Sequence, residues 1–114
     1  MSKISISTAK PESNVSALKV IKDVTGLSID SVRSRLSDGK RGVFYTTELF
    51  LNDHKEKEAQ IRKLISELSK LGIELFIMEV EHDENWADVH DFDSIRISTA
   101  ELLNMLDENT DKFS

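Results

Sequence analysis

Apolar and polar positions alternate at the start of this chain. In Lys3-Ile4-Ser5-Ile6-Ser7-Thr8-Ala9 the apolar residues fall on every second position, which predicts a half-buried strand. The period then changes. Ala17, Leu18, Ile21 and Val24 share one helical face, and Ser13 or Asn14 is placed to cap that helix. Thr25-Gly26 must end it, because glycine accepts the left-handed conformation that follows a last helical turn. A second short helix is predicted from Ser28 as N-cap, with Asp30 in its first turn and Ile29, Val32 and Leu36 as its apolar face. After the turn at residues 37–42, residues 43–51 are rich in β-branched and aromatic side chains and predict a second strand.

The strongest periodic signal comes next. Ile61, Leu64, Ile65, Leu68 and Leu71 line one face of a long helix. Asp53 and Glu56 make its N-cap pair, Glu58 and Arg62 can pair one turn apart, and Gly72 closes it. Residues 73–81 then form a third strand, apolar enough at the centre to lie mid-sheet. The order is β-α-α-β-α-β, which predicts an α+β fold: a three-stranded sheet with helices on one face.

Residues 82–114 extend this unit. Residues 82–92 have no clear period, and residues 94–97 suit a short strand. Ser98 and Glu101 form a capping box, stapled by Ile97 and Leu102, for a final helix from Thr99 to about Asp107 that buries Leu102, Leu103 and Leu106. The expected organisation is a core over residues 1–81 and an extension over 82–114 packed on the same domain.

The run Val20-Ile21-Lys22-Asp23-Val24-Thr25-Gly26-Leu27-Ser28-Ile29-Asp30-Ser31-Val32-Arg33-Ser34-Arg35-Leu36 resembles the helix-turn-helix of the C-terminal domain of the bacterial ribosomal stalk protein. The Clp protease adaptor has a similar fold and helix pair. The resemblance covers residues 3–81 and implies the stalk-like fold. Ser28 stands where the stalk family has a second glycine, and Asp30 where it has lysine. The family's factor-binding surface is basic, and only Lys19, Lys22 and Arg33 match it here. The adaptor's pocket for an N-terminal amine has no counterpart. The fold is carried over, and neither activity is.

Charge adds what periodicity does not show. Of the net −6, residues 82–114 hold nine acids and two bases, a local −7, while residues 1–81 are at +1. So local an excess repels nucleic acid and attracts basic proteins. Trp86 and Phe92 lie within it, an arrangement suited to anchoring by rings and steering by acids. The alternative is that the rings pin the extension to the chain's own sheet. The expected partner-binding residues are Glu79, Glu81, Asp83, Glu84, Trp86, Asp88, Asp91, Phe92 and Asp93.

Other chemistry finds less support. Gly39-Lys40-Arg41-Gly42 has the wrong spacing for a phosphate loop, and no catalytic set is positioned. His82, Asp83, His90, Asp91 and Asp93 are of metal-ligating types without a ligand-spacing motif, so no metal or cofactor is expected. Arg33, Arg35, Lys40 and Arg41 cluster, and are expected to be a solvated face rather than a phosphate-binding patch. With no cysteine, no signal-peptide pattern and no membrane-length apolar run, a cytoplasmic protein is expected. These features resemble bacterial toxin-immunity proteins, such as those of contact-dependent growth inhibition, and imply a basic toxin nuclease domain as partner. The other class is an adaptor or translation-linked binding module using the helix-pair face.

Overall fold

The computed structural model describes residues 2–48, 54–81 and 83–113. The alternating N-terminal segment forms β1 (Ser2–Thr8), and the helix pair follows as α1 (Val15–Thr25) and α2 (Ile29–Ser37). Asn14 is the cap of α1, its side chain accepting from the Ala17 N–H. At the corner, Thr25 Oγ1 donates to the Ile21 carbonyl at 2.7 Å and accepts from the Leu27 N–H at 3.2 Å. Gly26 takes φ 78° and donates to the Lys22 carbonyl. Ser28 caps α2 through the Ser31 N–H. Val32 and Leu36 are buried, but Ile29 is 43% exposed. It is the first helical residue, so the packed stripe of α2 starts one turn later than the spacing predicts.

A short 3-10 turn at Gly39–Arg41 leads to β2 (Tyr45–Glu48). The predicted continuation of this strand over Leu49, Phe50 and Leu51, and the predicted cap Asp53, lie outside the described residues. The long helix is α3 (His54–Lys70), with Ile61, Leu64, Ile65 and Leu68 all buried. Gly72 follows at φ 75°, and β3 spans Leu75–Glu81.

The sheet has four strands, not three. Its order is β2-β1-β3-β4, all antiparallel, with β4 formed by Arg96–Ile97. This short strand pairs Ile77 with Ile97 and Met78 with Arg96, so it covers the edge of β3 that a three-stranded sheet would leave open. The strand expected over residues 94–97 thus forms over its last two residues, and the first two belong to a 3-10 turn.

Both faces of the sheet are covered. On one, Ile4, Ile6, Tyr45, Leu75 and Ile77 join buried residues of α1, α2 and α3. The final helix, α4 (Thr99–Phe113), adds Leu102 and Leu106 to the same core. The capping box forms in both directions, with Ser98 N–H to Glu101 Oε1 at 3.1 Å and Glu101 N–H to Ser98 Oγ at 3.0 Å. Arg62 ties α3 to α4, reaching Glu58 at 2.9 Å and Asp107 at 2.6 Å. The Asp107 bond is the main reason its guanidinium is held above the ordinary arginine value, against the opposing effect of burial. On the other face lie Ser5, Ser7, Phe76 and Met78, under residues of the C-terminal extension.

Candidate functional site

The second sheet face positions the acidic segment. Phe76 and Met78 are fully buried on it, and with Val43 they form a small apolar cluster. Trp86, Phe92 and Ile95 pack onto that cluster from above. Ser5 and Ser7 of central β1 are also fully buried, and such short side chains let larger ones settle close to the strand.

The segment itself is built from two 3-10 turns, Trp86–Asp88 and Phe92–Ile95. Each is capped by its own side chain: Asn85 Oδ1 accepts from the Ala87 N–H at 3.0 Å, and Asp91 Oδ1 from the Asp93 N–H at 3.1 Å. The caps aim the first residue of each turn, Trp86 and Phe92, at the same place. Their rings meet edge to face at 5.9 Å, a favourable aromatic geometry. Both are half-buried. Trp86→Ala should therefore weaken the contact between segment and sheet by about 1–2 kcal/mol. An unchanged Tm in a circular-dichroism melt would show that the ring makes no net contribution there.

The nine expected binding residues are not gathered on one surface. Asp83, Glu84, Asp88, Asp91 and Asp93 are exposed along the segment. Alternation along β3 instead places Glu79 and Glu81 on the side of Ile77, opposite Trp86 and Phe92. Glu79, Glu81, Asp83, Glu84, Asp88 and Asp91 make no ion pair with a described residue.

The basic cluster is not simply a solvated face. Lys40 lies 3.7 Å from Asp93 and 5.0 Å from the centre of the Phe76 ring. Arg41 lies over Phe92 at 4.9 Å. Arg35 Nη1 donates to the Val43 carbonyl at 2.6 Å, and Arg33 meets Asp30 at 3.4 Å. On the far side, Arg96 lies over Phe76 at 4.8 Å and pairs with Glu74 at 3.2 Å. Opposite charges in the two distant segments thus face each other, which charge counting along a chain does not reveal.

One further feature has no sequence signal. A cleft of about 300 Å³ opens between Thr25 and Leu27 of the helix corner, residues 43–46 and Trp86, with Arg35 as its charged member. As for metals, no three His, Asp or Glu side chains among the described residues converge as ligands would, and His82 lies outside those residues. Comparison of the chain with protein-family models, curated proteins and solved structures finds no match.

Proposed function

We propose that this chain is a small acidic cytoplasmic binding protein that neutralises a basic protein partner, as an immunity protein blocks a nuclease toxin, by stoichiometric occlusion. The observation that carries this reading is the state of the acids around Trp86 and Phe92. Asp83, Glu84, Asp88 and Asp91 are exposed and make no ion pair with a described residue, and Asp88 and Asp91 sit in or cap the two turns that hold the backbone. Charges already neutralised by internal partners would attract little from outside. These remain available for long-range steering, which raises association rates with an oppositely charged surface. A nuclease domain offers such a surface, because its own substrate is a polyanion. Among the described residues no helix is long and apolar enough to cross a membrane.

The test is stopped-flow association with a purified cationic nuclease-toxin domain, sought first among the products of the neighbouring genes. Reversing Asp83, Glu84, Asp88 and Asp91 to Lys should slow association at least about tenfold at low salt. Reversing Lys19 and Arg33, both exposed and on the helix pair, should not slow it. The rate should fall as salt shortens the Debye length from about 30 Å at 0.01 M to about 8 Å at 0.15 M. A rate indifferent to both salt and the four reversals would end this reading.

The second reading would then stand. The cleft at the Thr25–Leu27 corner lies on the helix pair, as an adaptor or translation-linked module of stalk-like fold would require. Its occupant would meet Arg35 and the edge strand β2.

A further inference from the structure

We infer that residues 83–94 form a detachable clasp, held shut by the chain's own cations, and that a cationic partner taking this segment must displace Lys40 and Arg41. The second half rests on the function proposed above, whereas the first stands alone.

Three observations lead to it. First, among the described residues the hydrogen bonds made by residues 83–94 stay within residues 81–96. Glu84 N–H bonds to the Glu81 carbonyl, Asp88 to Asn85, Val89 to Trp86, Ser94 to Asp91, and the Arg96 N–H to Asp93. The remaining bonds are the two caps and Ser94 Oγ to the Asp91 carbonyl. Two bonds tie its ends to β3 and act as hinges: the Glu84 N–H to Glu81, and the Met78–Arg96 rung, which engages the Ile95 carbonyl; between them, lifting residues 85–94 breaks no ladder bond. A unit with self-contained hydrogen bonds and few anchoring contacts can open below the free energy of global unfolding.

Second, the anchors are side chains only. Trp86 and Phe92 supply apolar contact, and Ile95 packs on the same cluster at the hinge. Lys40 to Asp93 and Arg41 over Phe92 supply the charged contacts. The Lys40–Asp93 pair is partly solvated, with side-chain exposures of 43% and 70%, so salt weakens it.

Third, these cations occupy what an external cation would use. An arginine on a partner would find Arg41 already over the ring of Phe92 and Lys40 already beside the carboxylate of Asp93. The Gly39–Arg41 turn therefore stands in for the partner while the clasp is shut. Opening releases the acidic segment and uncovers Val43, Phe76 and Met78.

Trp86 is the chain's single tryptophan and lies in the clasp, so its fluorescence reports opening directly. Raising salt from about 0.01 M to about 0.5 M, or making Lys40→Gln with Arg41→Gln, should shift Trp86 emission to the red and raise its quenching by acrylamide. The far-UV circular dichroism should hold. The double variant should raise the opening constant about five-fold, from one exposed ion pair and one cation–π contact. Emission that moves only together with loss of the far-UV signal would overturn the clasp. The unmodified protein under salt keeps this test valid if the variant fails to fold.

Octalysine then probes the competition. The double variant should bind it about five-fold tighter than the wild type and tighter than the charge-matched Lys19→Gln with Arg33→Gln. Equal affinity for these two variants would overturn the displacement of Lys40 and Arg41. A clasp that opens under salt while no form binds octalysine would instead overturn the cationic-partner reading and leave the clasp standing.

Discussion

Leu64→Ala lowers the free energy of unfolding by about 2–5 kcal/mol. Leu64 is fully buried in the core that α3 shares with the sheet and with α1, α2 and α4. Removing its isobutyl group forfeits the burial of that surface and leaves a space that flanking residues fill only in part. The neighbours Ile61 and Leu68 are themselves fully buried, so relaxation there disturbs other contacts. Denaturant melts of wild type and variant at equal slope give the difference. A loss below about 0.5 kcal/mol would show that this face of α3 contributes little packing energy.

Gly42→Ala costs about 3 kcal/mol or more. The cause is not the backbone angle, since φ is −89° and open to any residue. A Cβ built there would lie 1.6 Å from the Arg35 carbonyl oxygen and 2.5 Å from its carbon. These are backbone atoms of α2, which cannot swing aside as a flexible side-chain end can. Gly26 and Gly72 make the opposite pair. Each has a positive φ, 78° and 75°, and open space where a Cβ would go. Alanine at either should cost about 1–2 kcal/mol through the left-handed backbone alone. Gly42→Ala with a loss no greater than theirs would mean that α2 and the Gly42 strand approach can separate freely.

Those three glycines show what the sequence discloses. Gly26 and Gly72 each end a periodic apolar run, so a local rule finds them. Gly42 is required by a neighbour that the fold brings up, and no spacing contains that information. The same division runs through the rest of the chain. The Thr25-Gly26-Leu27 corner, the Ser28 cap, the Ser98–Glu101 box and the buried face of α3 are legible because cause and effect lie within a few residues. The short strand within residues 94–97 is legible, but its place beside β3 is not, because so short a segment carries no sign of its partner. Helix α4 runs on past Asp107 to Phe113, where the polar sequence has no apolar stripe to announce it. Once nucleated, a helix adds residues without needing one.

At the candidate site, composition marks the acidic segment, and the rings stand out within it. Their direction does not follow from composition. The sequence leaves Trp86 and Phe92 between partner and core, and the fold supplies the answer for contact within the chain: both pack against the cluster of Val43, Phe76 and Met78. Lys40 and Arg41 lie far from Asp93 and Phe92 along the chain, so their meeting is a property of the fold alone.

The position of β1 has a consequence for how the chain reaches this structure. β1 is the first element in sequence and an inner strand of the sheet, between β2 and β3. Its pairing of Ser2 with Glu81 and Thr8 with Leu75 joins the two ends of most of the core. Closing so long a loop costs entropy before any ladder bond forms. During synthesis, α1, α2 and the pairing of β1 with β2 across them can form early, but the other edge of β1 must wait for β3 to emerge. The strand made first is thus among the last to be fully paired. Until then its Ile4 and Ile6 face and its free edge are open to other chains.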